Sequence, residues 1–380
     1  MSLSVALRHR LGDFRLDVAF ESNGRLTALF GPSGSGKTSL VNLLGGLLRP
    51  DEGRIVADDR VLVDTSTGIF VPKHKRRIGY VFQDARLFPH MTVSQNLRYG
   101  RFFVPNAERY SDLDGVVDLL GIGHLLDRKP GSLSGGEKQR VAIGRALLAS
   151  PRLILMDEPL ASLDDNRKAE IMPYIERLRD ETKIPIVYVS HSLGEVARLA
   201  TDIVVLDAGK VAVSGPAPDV LRRLDLLPAE ERSEGGVVLD MRVAGYDATF
   251  GMTALTSAAG EIQVTGLDAK PGTMARIRIR ARDVIVATER PKGLSALNIL
   301  PGNVASIRTG ADPFADVLID CNGQHVAARI TRQSSDALGL QPGLPVFAII
   351  KSVTFDRANT TSFAAGHQAP QDRTTSEKVG

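Results

Sequence analysis

The stretch Gly31-Pro32-Ser33-Gly34-Ser35-Gly36-Lys37-Thr38 constrains this chain more than any other, because it reads G-x-x-x-x-G-K-[ST]. The apolar run Leu26–Phe30 before it has the character of a buried strand. The run Ser39–Leu44 after it has the character of a helix start. Strand, glycine-rich loop and helix in that order form a cradle for phosphate: glycines let the backbone turn its N–H groups inward, and the helix start adds a positive dipole end. Lys37 then suits β- and γ-phosphate oxygens, and the Thr38 hydroxyl suits Mg²⁺.

Further short apolar strands end in polar residues. Ile78–Phe82 leads to Gln83, a group able to reach a metal or an attacking water. Leu153–Met156 leads to Asp157 and Glu158, where α/β sheets place their chemistry. Asp157 suits the Mg²⁺ shell, and Glu158 suits a base that polarises water toward a γ-phosphate. Ile186–Val189 leads to Ser190-His191, which puts an imidazole in the same layer. Between them, Leu133-Ser134-Gly135-Gly136-Glu137 opens a helix with a capping box from Ser134 to Glu137. Its paired glycines allow close anion approach, which makes it a second possible anion site.

Other readings are structural. Asn23-Gly24 signals a hairpin. Lys73-His74-Lys75-Arg76-Arg77 reads as a solvated basic loop. Arg276-Ile277-Arg278-Ile279-Arg280 reads as a half-buried strand with a solvated arginine face. A net charge of +3 and the absence of Trp give no case for nucleic acid. The single cysteine, Cys321, excludes an intrachain disulfide and a cysteine-based zinc site. No apolar run is long enough to span a bilayer and no signal-peptide core opens the sequence, so a cytoplasmic protein is expected.

In this order, GPSGSGKT, Gln83, LSGGEKQR, LILMDEP, SLD and His191 resemble the ATPase subunits of ABC transporters over roughly residues 1–225. The segments YVFQDARLFPHMTVSQNLRYG and DEPLASLD are similar to the ATP-binding subunit of molybdate importers. The stretch 291–357, opening SALN and closing AIIKSV, resembles the small molybdate/tungstate-binding barrel module, with Leu297 where that module has Arg.

The resemblance implies an α/β P-loop NTPase with a RecA-like core and antiparallel β and helical subdomains, followed by an all-β OB-like barrel. The expected divisions are 1–229 for the ATPase, 230–290 for a β-rich linker or the start of the C-terminal region, 291–357 for the anion module and 358–380 for a disordered tail. Two copies would pair head to tail, with ATP between Gly31–Thr38 of one and Ser134, Gly135, Gly136, Glu137 and Asp164 of the other. Mg²⁺ would sit among Thr38, Gln83 and Asp157. Glu158, His191 and Gln83 would serve hydrolysis, and Phe14 or Leu11 would face adenine.

Ser295, Lys351 and Ser352 are expected to offer hydroxyl and ammonium donors to an oxyanion, with molybdate as regulatory ligand. Expected partners are permease subunits, contacted through Asp84–His90, and indirectly a periplasmic molybdate-binding protein. The location would be peripheral, on the cytoplasmic face of the membrane. Alternatives are a similar ATPase for tungstate, sulfate or ferric ion, an ABC-type ATPase of nucleic-acid metabolism, and an oxyanion store.

Overall fold

A computed structural model describes residues 2–223, 235–265, 267, 269–309, 313–351 and 360–363. They fall into two compact units, one running to Val237 and including Arg280–Arg282, the other comprising Val238–Ile279 and the residues from Asp283 onward.

The first unit begins with strands β1 (Leu3–Leu11), β2 (Phe14–Ser22) and β3 (Leu26–Phe30), then helix α1 (Lys37–Gly45). Strands β4 (Glu52–Ala57), β5 (Arg60–Asp64), β6 (Ile69–Phe70) and β7 (Ile78–Val81) follow. A helical stretch carries α2 (Val93–Tyr99), α3 (Leu113–Leu120) and α4 (Gly135–Leu148). The unit continues through β8 (Leu153–Asp157), α5 (Asp165–Glu181), β9 (Ile186–Val189), α6 (Leu193–Leu199), β10 (Asp202–Asp207), β11 (Lys210–Pro216) and α7 (Ala217–Leu221).

One eleven-stranded sheet runs in the order β6-β5-β4-β1-β2-β11-β10-β3-β9-β8-β7. The half from β10 to β7 is parallel, and β3, β8 and β9 read as near-continuous apolar runs because both faces are covered. The register sets Leu29 beside Val189, Asp157 beside Val189, and Val81 beside Met156. The residues following all four strands therefore emerge at one sheet edge.

Two local readings are corrected. Asn23-Gly24 makes no hairpin: β2 and β3 are not neighbours, and the hairpin turn is Gly12-Asp13 between β1 and β2. The Asn23 and Gly24 N–H groups donate instead to the Asp202 carboxylate, at 3.1 and 2.9 Å. The basic loop is not wholly solvated either, because Arg76 is 1% exposed. Its guanidinium donates to Val71 O at 2.7 Å and to Leu43 O and Leu44 O at 2.8 and 2.7 Å. A cation thus closes the carbonyl end of the helix that starts at the phosphate loop. Burial lowers that guanidinium to about 10.

The second unit contains β12 (Gly236–Asp247), β13 (Met252–Ser257), β14 (Gly260–Thr265), β15 (Met274–Arg280), β16 (Val284–Ala287), β17 (Asn298–Thr309), β18 (Phe314–Cys321), β19 (Gln324–Thr331), α8 (Arg332–Ala337), β20 (Pro345–Ile350) and β21 (Thr360–Phe363). One sheet runs β14-β13-β12-β15-β21, the other β16-β20-β17-β18-β19. In the second sheet the edge strands β16 and β19 also approach each other, so the sheet curls toward closure.

Strands β12–β16 lie within the stretch expected to be β-rich. Within the expected disordered tail, Thr360–Phe363 pair with β15 from Ile277 to Met274. These β-prone residues cover what would otherwise be a sheet edge. The arginine face of β15 is not uniformly solvated: Arg278 is 8% exposed, while Arg276 pairs with Asp240 at 3.0 Å.

Candidate nucleotide site

β3 delivers the chain to Gly31 at the bottom of the parallel sheet edge. A Cβ there would fall 2.1 Å from Leu206 O, so only glycine allows the loop to pass. The N-cap of α1 is Gly36 at φ 101°, with no side-chain hydrogen bond. The first N–H groups of α1 therefore carry no capping side chain and face the loop interior. The Ser35 hydroxyl is buried there without a hydrogen-bond partner.

Lys37 is 6% exposed, and its ammonium donates to Gly31 O and Pro32 O, each at 2.8 Å. Burial lowers its pKa, against the raising effect of Glu158 and Asp157. A cation folded onto carbonyls, an orphaned hydroxyl and uncapped N–H groups together fit a polyphosphate.

Across the loop, Thr38 Oγ1 donates to Asp157 Oδ1 at 3.5 Å. The Tyr80 hydroxyl donates to Asp157 Oδ2 at 3.4 Å. Burial, and then the adjacent Glu158 charge, push the Asp157 carboxyl up. A carboxylate raised in this way favours a nearby divalent cation, so Thr38 and Asp157 fit Mg²⁺. Glu158 sits at φ 47°, with its N–H donating to Val189 O at 3.1 Å. Its Oε2 lies 3.3 Å from His191 Nδ1. Lys37, Thr38, Asp157, Glu158 and His191 are thus assembled from three strand ends.

Gln83 lies two residues past the end of β7, is exposed, and makes no hydrogen bond or ion pair among the described residues. Its position is set by Gln139 of α4, whose side chain donates to Phe82 O at 3.1 Å. Sequence reasoning missed both Tyr80 and Gln139. The available signal for Gln139 was a polar residue on the buried face of α4. Phe14 is half-buried at the start of β2, and its ring tip would sit 3.1 Å from a Cβ on Gly36. Much of that ring therefore packs under the phosphate loop. Leu11 is half-buried at the end of β1.

Ser134 is the N-cap of α4. Its Oγ accepts from Glu137 N at 3.2 Å, and its N–H donates to Glu137 Oε2 at 2.7 Å. These hydrogen bonds hold the Glu137 carboxyl below its usual range. A Cβ on Gly135 would lie 2.8 Å from the Leu163 side chain, so close packing also favours that glycine. Asp164 caps α5, accepting from Arg167 N at 3.0 Å. Among the described residues no hydrogen bond or ion pair joins Ser134–Glu137 to Gly31–Thr38.

In the second unit, Ser295 and Lys351 are exposed, and Ser352 lies outside the described residues. Pairing of Asn298 with Ile350 brings Ser295 and Lys351 to the same end of that sheet. The sequence reading missed Asn298 itself. It is 1% exposed, and its amide accepts from Gln263 N at 2.7 Å and donates to Gln263 O at 3.1 Å. Its side chain thereby substitutes for a strand partner of β14.

Comparisons with known proteins match both parts of the chain. The ABC transporter family model matches residues 16–161, and the TOBE domain model matches residues 294–354. The chain is 68% identical to the molybdenum import ATP-binding protein ModC of Mesorhizobium japonicum over 95% of this chain and 97% of that one. It is 56% identical to the ModC protein of Rhizobium etli over 94% of this chain and 100% of that one. Among solved structures, cbiO1 from Clostridium perfringens, part of the ABC transporter complex cbiONQ, is 29% identical. That likeness covers 60% of this chain and 96% of that one, with a TM-score of 0.49.

Proposed function

The chain belongs to the family of molybdenum import ATP-binding proteins, and we infer that it hydrolyses ATP to drive molybdate import through a membrane permease, using the residues gathered around Gly31–Thr38. The observation that carries this reading is the convergence of Lys37, Thr38, Asp157, Glu158 and His191 at one sheet edge. The relatives' names favour molybdate over the tungstate, sulfate and ferric-ion alternatives.

Lys37 exchanges its two loop carbonyls for phosphate oxygens, which keeps a buried ammonium paired throughout. The uncapped N–H groups of α1 take the remaining phosphate charge. Bound Mg²⁺ would neutralise charge on the transferring phosphoryl group, held through Thr38 and Asp157 with Gln83 at its edge. Glu158 accepts the proton of the attacking water. His191 holds the Glu158 carboxylate and reaches the γ-phosphate oxygens.

Ser134–Glu137 and Asp164 complete the cage in trans, contributed by a second copy. The permease docks beside Asp84–His90, on the exposed rings of Phe102 and Phe103, which are 82% and 67% exposed. Such an aromatic surface is a feature of interfaces. Asn96 braces that loop through Phe88, and Arg145 through Ala85 and Arg86. No described helix is long and apolar enough to cross a membrane, and the subunit sits peripherally on the cytoplasmic face through its permease. Molybdate bound at the barrel, near Ser295 and Lys351, regulates the ATPase.

Glu158→Gln is expected to retain ATP-induced dimers while hydrolysis falls by about 10²–10⁴-fold. Wild-type turnover in that variant would remove Glu158 from the base role. Calorimetric titration of the full chain with molybdate, tungstate and sulfate checks the anion assignment. No heat with any of the three would sink the regulatory reading.

A further inference from the structure

Residues on both sides of His191, with Lys168 of α5, build a buried polar junction that the hydrolysis mechanism does not use. Glu195, in the first turn of α6, is 6% exposed. Its Oε2 accepts from Ser190 Oγ and from the Tyr188 hydroxyl, both at 2.8 Å. Its Oε1 lies 3.1 Å from the Lys168 ammonium. The Ser190 hydroxyl in turn accepts from Ser192 N at 3.0 Å, and so spans both sides of His191. On the far side, Lys168 stands in the first turn of α5, with its own N–H donating to Asp164 O at 2.9 Å.

One carboxylate therefore joins two loops. One loop presents His191 to Glu158, and the other ends at Asp164. A buried carboxylate is costly unless paired and fully hydrogen-bonded, and this one is. Packing alone would be met as well by an apolar side chain at residue 195. The placement of donors from β9, the His191 loop and α5 on one group indicates a geometric task.

We propose that Glu195 is a positioning residue for ATP hydrolysis, holding the His191 loop at its distance from Glu158 and tying that loop to the α5 end that carries Asp164. The inference rests on the nucleotide-site reading above and adds a mechanical link between the residue facing γ-phosphate in one chain and the residue facing the second copy. When Asp164 engages a partner, the displacement reaches His191 through Lys168, Glu195 and Ser190.

Steady-state hydrolysis by the full-length chain tests this link. Glu195→Gln keeps the side-chain shape and an oxygen that accepts from Tyr188 and Ser190, but turns an amide donor toward Lys168. Its kcat is expected to fall about ten- to hundredfold, as for a displaced reacting group, with KM for ATP changed by less than about twofold. Ser190→Ala and Lys168→Met should each lower kcat alone. The double variant should be no slower than the slower single, because both cut one chain of contacts.

Losses that multiply in the double variant, or an unchanged kcat in all three singles, would overturn the proposal. So would a kcat loss matched by the fraction unfolded in a thermal melt. If Glu195→Gln does not fold, the Ser190→Ala and Lys168→Met cycle decides alone. His191→Ala separates the two levels. If it leaves kcat intact, the nucleotide-site reading itself fails. If it lowers kcat while the junction variants do not, only the positioning role fails.

Discussion

Two helices in the first unit begin at glycine-bearing N-termini with anion-binding character, and they are finished differently. At α1 the N-cap is a left-handed glycine without any side-chain bond, an ammonium is folded in, and a buried hydroxyl lacks a partner. At α4 a serine and a glutamate satisfy each other through a complete capping box. The first terminus is a cradle that needs an external anion. The second is already satisfied within its own helix, so it adds little to an anion unless a phosphate is brought to it from outside. The asymmetry explains why one chain carries both halves, and why neither half suffices.

The strongest way to break this comparison is to remove the ammonium. Lys37→Ala should lower hydrolysis by about 10²–10³-fold, the loss typical of one preorganised charge contact. Mixing that variant with Ser134→Arg sharpens the point. If the termini are halves of one site, the mixed dimer keeps one intact site, and activity returns on mixing two inactive chains. No recovery would place the two cradles in separate sites.

Smaller effects separate the termini by stability. Gly36→Ala forces a side chain into φ 101° and against Leu16 Cδ1 at 2.8 Å, at a cost of about 1–3 kcal/mol in a denaturant melt. Ser134→Ala removes a side-chain cap and should cost about 1 kcal/mol. Equal costs at the two sites with equal ATP affinity would erase the distinction.

The smallest effect is with pH. Glu137 has a depressed carboxyl in the folded state, chiefly from the Ser134 N–H. Its contribution is present above the ordinary glutamate pKa of 4.5 and is lost as pH falls through the lower folded value. Protection of the amides at the start of α4, taken relative to their intrinsic exchange rates, should fall on acidification below about pH 4.5. In Glu137→Gln it should not. Acid-independent protection in the wild type would contradict the capping role.

What the sequence determined by itself is local. The phosphate loop, the capping box at Ser134 and the carboxylate pair after β8 are legible because each is specified by residues within a few positions of one another. Turn chemistry and helix capping act over that range. Strand order was legible only as parallel or antiparallel character, since apolar runs mark buried parallel strands.

The tertiary structure decided the rest, because it depends on which distant segments become neighbours. The Asn23-Gly24 turn faces Asp202 since β10 and β11 lie between β2 and β3. Arg76 is buried because the end of α1 needed a cation, which no spacing within the basic run could reveal. Tyr80 meets Asp157, Asn298 meets Gln263, and Glu195 meets Lys168 for the same reason. A buried polar group is defined by its partner, and the partner is chosen by the fold.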